Sequence, residues 1–190
     1  QLTGAISGGC LEGDALRKAL LAISQQKNKL VTYDTTDETD TTLGVQLGCN
    51  GIVHILFEPI IADQLNNPIE LLKQVAAQRQ SAVLVSLFSL SNRELQPGLC
   101  ILALSEGDTC RSKQFSGIDG ALPADIATDL KREIQYVFQE NRSTIKQYVS
   151  DEGELTAYLE LLPPALSIIV CGAGNDALPL VVAGHLIGFD

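Results

Sequence analysis

The residues best suited to chemistry in this 190-residue chain begin at Cys10, which follows Gly8 and Gly9 and precedes Glu12 by two positions in "GAISGGCLEGDAL". Adjacent glycines can turn successive N–H groups into an anion-binding concavity, and the positive end of a following helix adds to that field. A cysteine placed there has a lowered pKa and thiolate character. Glu12 falls in the first helical turn, where it favours the dipole and can also take a proton or bond a ligand. The same pattern also fits a plain helix entry with a small residue at its start. Ser7, Gly8, Gly9, Cys10 and Glu12 are the first candidate binding residues, with Cys10 the candidate metal ligand.

A second set lies in "LGCNGIVHILFEP". Cys49 and Gly51 read either as a second thiol on a glycine loop near the first or as a tight Asn50-Gly51 hairpin turn. Glu58 ends an apolar strand, as a charge in water or as a buried carboxylate facing the site. Zinc on Cys10, Cys49 and His54 is a weaker alternative, because the spacing lacks a short paired-ligand motif. Gly172 and Gly174, in "IIVCGAGNDALPLV", match the first two glycines of a dinucleotide fingerprint, with Ala177 in the third place. His185 reads as a helix-face histidine.

The elements that must position these groups follow from periodicity. Leu11 to Ile23 has apolar residues at helical spacing, and Lys29 to Tyr33 reads as a strand. "DTTDETDTT" is a solvated loop. "NNPIELLKQVAAQRQ" has Asn67 as N-cap and Pro68 at the first helical position. "SAVLVSLFSL", "LCILALSEG" and "LTAYLELLPP" read as strands. Ile126, Leu130, Ile134, Val137 and Phe138 mark a helix that could run to Val149. Ser167 to Cys171 reads as a strand leading into the glycine turn. The fold class is therefore α/β. Residues 1–163 form an N-terminal α/β domain with its linker, and 164–190 the start of a Rossmann-type domain, its first βα unit.

Composition narrows the partners. The net charge of −10 argues against nucleic acid or an anionic membrane, which need a basic surface. At 45% hydrophobic and 19% charged the chain can bury a core. No apolar run suits a bilayer, and the first residues carry no signal-peptide pattern. The absence of methionine, including an initiator, leads us to expect a piece of a longer protein. Five cysteines without a CxxC pair read as reduced thiols in a cytoplasmic protein. Cys10 is expected to be the most reactive, with Cys100 and Cys171 buried in strands.

Taken in order, "GAISGGCLEGDAL", "LVTYD", "LGCNGIVHILFEP" and "IIVCGAGNDALPLV" resemble the XdhC/CoxI family. The resemblance implies a cytoplasmic accessory protein for molybdenum hydroxylases such as xanthine dehydrogenase. Such a protein binds molybdenum cofactor (molybdopterin), protects it during sulfuration and passes it to the apoenzyme. It carries over Cys10, Glu12, Cys49, Gly51, Gly172 and Gly174. The partners implied are the hydroxylase apoenzyme and a cysteine desulfurase, with a homodimer by family habit. On this reading the chain is a carrier with no catalytic residues. The alternatives are an NAD(P)-binding Rossmann oxidoreductase with a reactive cysteine, and a docking module without ligand.

Overall fold

The computed structural model describes residues 3–6, 9, 11–34, 51–62, 67–98, 100–106, 111–116, 122–150 and 153–189. Helix α1 (Glu12–Gln25) leads into β1 (Lys29–Asp34), which pairs antiparallel with β2 (Ile52–Phe57). The chain continues through α2 (Pro68–Ala76), β3 (Ala82–Phe88), β4 (Cys100–Glu106) and β5 (Arg111–Ser116). It ends with α3 (Ala124–Glu140), β6 (Thr144–Ser150), β7 (Gly153–Leu162) and α4 (Ala177–Leu186).

The main sheet has five strands in the order β5-β4-β3-β7-β6, every neighbour antiparallel. Alternation along β3 divides its side chains between two faces. Val83, Val85 and Leu87 face α3, whose stripe of Ile126, Leu130, Ile134, Val137 and Phe138 completes the larger core. Ala82 faces the other way, where Leu71 of α2 packs with Leu102 and Leu104 of β4. The fold is thus α/β, with helices on both faces of an antiparallel sheet, and α1 packs against the separate β1–β2 hairpin.

Two sequence-based expectations change. Helix α3 stops at Asn141, which is left-handed (φ 51°) and donates its N–H to the Val137 carbonyl. The residues beyond alternate and include β-branched Thr144, Ile145 and Val149, so they pair with β7 instead of extending the helix. Residues 167–171 run up to the glycine turn as irregular backbone, joined to no strand among the described residues. An apolar run forms a strand only where a neighbour supplies a ladder, and none of the described strands lies beside this one. Helix α4 forms as its sequence predicts. No helix among the described residues is long and apolar enough to cross a membrane.

Candidate functional site

The glycine loop is organised by Glu12. One carboxylate oxygen accepts the Ile6 N–H at 3.0 Å, and the other accepts the Gly9 N–H at 2.9 Å. Gly9 sits at φ 120°, a conformation that favours glycine. Helix α1 starts at Glu12 with no side-chain cap from Leu11. The first-turn carboxylate therefore reaches back and closes the loop, as in a capping box. The loop does hold an anion, but that anion is the protein's own Glu12. Ser7, Gly8 and Cys10 lie outside the described residues; Gly9 and Leu11 bracket Cys10.

The β1–β2 register sets Ile52 opposite Asp34 at one end of the hairpin and Phe57 opposite Lys29 at the other. Buried Tyr33 donates its hydroxyl to Asp14, in the first turn of α1, at 2.9 Å. Burial and then Asp14 push Tyr33 up to about 12, while that hydrogen bond holds Asp14 below its ordinary value. Gly51 immediately precedes β2, so it stands at the Asp34 end of the hairpin, beside the start of α1. Cys49 lies outside the described residues.

Glu58 does not join this group. It follows β2 at the far end, about 20 Å from Gly51 at the usual rise of an extended strand. There it lines a separate cleft of about 900 Å³ with Asn28, Gln96 and Gly98. The Asn28 side-chain amide donates to the carbonyls of Gln96 and Pro97, each at 3.1 Å. Burial pushes the Glu58 carboxyl up to about 7. The cleft and the Tyr33–Asp14 bridge escape motif reading because each is built across elements. The only local signals are the turn residues Gln96-Pro97-Gly98 and the polar run from Gln25 to Lys29.

The C-terminal glycine turn is built differently from expectation. Gly172 has φ 151°, and Ala177 donates its N–H to the Gly174 carbonyl at 3.0 Å. The Asp176 side chain folds over Gly174, so a phosphate arriving at the α4 N-terminus would meet a like charge. Cys171 is a free, exposed thiol, which corrects the expectation that it is buried. The Cys100 side chain lies outside the described residues. His54 is exposed on β2, with its Nδ1 2.9 Å from the Thr32 hydroxyl. Among the described residues no group of three metal-binding side chains converges.

Residues 1–34, which span the glycine loop, α1 and β1, match the XdhC and CoxI family. A 61-residue stretch, 32% of this chain, is 36% identical to a probable xanthine dehydrogenase subunit from Bacillus subtilis (strain 168), and covers 18% of that protein. The whole chain superposes on 48% of the chain in a crystal structure of a xanthine dehydrogenase from Bacillus halodurans, with a TM-score of 0.63 and 23% identity. That last likeness is one of fold, and the chain spans about half the length of the solved protein. The likeness to the XdhC and CoxI family thus rests on residues 1–34 and the 61-residue stretch, and the solved structure adds a likeness of fold.

Proposed function

We propose that this chain is part of an accessory protein of xanthine dehydrogenase-type molybdenum hydroxylases, which binds molybdenum cofactor and assists its sulfuration and insertion. The observation that carries the reading is the loop closed by Glu12 on Ile6 and Gly9, within the 34 residues that match the family. This closure ties Ile6 and Gly9, which precede Cys10, to Glu12 at the start of α1. A cysteine at a helix N-terminus has thiolate character, and a thiolate suits a thiophilic metal centre or the holding of sulfur. When bound, the cofactor would supply that metal centre.

The donor set fits the metal end of such a ligand better than its phosphate. Cys10 would meet the metal, with Cys49 the candidate second thiol on the neighbouring loop. The Gly9 N–H, an expected phosphate donor, already serves Glu12. Glu12 therefore acts by ordering the loop. Phosphate recognition falls to other groups. The hydroxylase apoenzyme and a cysteine desulfurase are the partners this function requires.

Replacing Cys10 by Ala should lower cofactor retention on gel filtration about tenfold or more, a loss of about 1.4 kcal/mol for each tenfold. The thermal midpoint, measured in parallel, should move little, since one sulfur at a helix entry costs on the order of 1 kcal/mol. Unchanged retention would refute the role of Cys10.

A further inference from the structure

A side-chain amide fastens the β1–β2 hairpin to the five-stranded sheet. Asn28 lies in the turn between α1 and β1, and its amide donates to the carbonyls of Gln96 and Pro97, each at 3.1 Å. Lys27 also reaches across, but as an exposed pair with Glu94 at 3.2 Å, of the kind that contributes little. The carbonyls that Asn28 meets are held from behind. The buried Gln96 side chain accepts the Ser89 N–H at 3.3 Å and donates to the carbonyls of Ser89 and Asn92. Gly98 donates its N–H to the Leu87 carbonyl of β3 at 3.3 Å. Segment 96–98 is thus bound to the sheet, and Asn28 ties the hairpin to that segment.

The same amide has a second acceptor beside it, within its own hairpin. Lys29 pairs with Phe57, so one further step of the register sets Asn28 across from Glu58. The two side chains meet over Gly98: a Cβ there would stand 2.7 Å from Asn28 Cγ and 3.1 Å from Glu58 Cδ. Glu58 makes no ion pair among the described residues. Burial is the one cause that raises its pKa, to about 7. The other ionisable groups lining the cleft are Lys18 of α1, Lys27 of the turn, Lys29 of β1, and Arg93 and Glu94 ahead of Gln96. The entry to α2 adds only the uncharged Asn67 and Pro68.

We propose that Asn28 is a proton-gated clasp, which fastens the hairpin to segment 96–98 while Glu58 is protonated and turns to the Glu58 carboxylate when the proton leaves. A carboxylate accepts charge-assisted hydrogen bonds about twice as strong as those of a neutral acceptor, whereas a neutral carboxyl competes poorly with the two carbonyls. The amide has two N–H groups and both are in use, so a bond to Glu58 forms at the expense of the sheet. Ionisation also favours water beside a half-buried charge, which loosens the same contact. Both effects have one sign. Raising the pH through about 7 exchanges a bond between hairpin and sheet for one inside the hairpin. Lowering it restores the clasp. This device stands independently of the carrier function proposed above.

Amide hydrogen exchange of the chain, resolved by NMR and expressed as protection relative to the intrinsic rate at each pH, tests the clasp at the Gly98 N–H. Between pH 6 and pH 8 that protection should fall about tenfold, while the N–H of Val85, inside β3, keeps its own. The side-chain amide resonances of Asn28 should shift with the same midpoint. Glu58→Gln carries no ionisable group there and should hold Gly98 protection level across the range. Asn28→Ala should show the low protection at both pH values. Equal protection of Gly98 at pH 6 and pH 8, Asn28 resonances that do not follow the fall, or a fall that persists in either variant would overturn the proposal.

Discussion

Glu12 and Glu58 show how the same side chain takes opposite roles from its surroundings. Glu12 lies next to a helix N-terminus and accepts hydrogen bonds from two N–H donors. Glu58 loses water without gaining a donor, so its ionised form is disfavoured and its pKa stands near 7. The folded state therefore holds a proton on Glu58 over a range where the unfolded chain, near the ordinary value of 4.5, has lost it. Stability contributed through this group is greatest below pH 4.5 and falls as pH rises towards 7. Lys18, Lys29, Arg93 and Glu94 share the cleft with it. Glu58→Gln should flatten that slope and raise the thermal midpoint at pH 8. Thermal unfolding of both proteins from pH 5 to 8 checks this, and identical slopes would contradict it. The sequence left Glu58 open between a solvated strand end and a buried carboxylate. Only the 93–98 segment, some 35 residues further on, decides that it is half-buried. Cys10 and Glu12, by contrast, announce themselves locally, because the glycines, the thiol and the first-turn carboxylate are adjacent.

Elements with strong local signals are legible, and those that depend on a partner are not. Asn67 accepts the N–H groups of Ile69 and Glu70, the cap that its sequence predicts for α2. The alternation of β3 and the helical stripe of α3 also survive intact, since each is a period that burial selects. The end of α3 and the fate of residues 167–171 are settled instead by which strand is available to pair. Gly98 is the hidden joint between the α1–β1 unit and the sheet. It has φ 56°, donates its N–H to Leu87 at 3.3 Å and lies beneath the Asn28 amide. Gly98→Ala should push that amide away, break its bonds to Gln96 and Pro97, and add left-handed strain of about 1–2 kcal/mol. The expected cost is about 2–4 kcal/mol in all, read as a lower urea midpoint with an unchanged slope. A loss under about 0.5 kcal/mol would mean that Asn28 does not fasten the two units.

At the scale of the whole molecule, the cores of the described residues and the C-terminal segment lie in different parts of the chain. Among the described residues, those of the larger core and of the smaller one all lie before residue 163. Beyond it, Leu166, Ile169, Leu178, Leu186 and Ile187 are between 69% and 84% exposed. In helix α4, buried Gly184 approaches Ile168 and Phe189, and the Phe189 N–H bonds the Gly184 carbonyl at 3.0 Å. Such a unit adds apolar surface to solvent without adding to either core. A chain ending at Pro163 should therefore keep its thermal midpoint within about 2 °C, since a change of 1 kcal/mol moves a domain of this size by about 2–4 °C. It should also bind less of a hydrophobic dye and stay soluble at higher concentration. Calorimetry and dye fluorescence on the two chains side by side supply the measurement. A midpoint lowered by about 5 °C or more would place residues 164–190 within the cooperative unit and set the boundary at Pro163 aside.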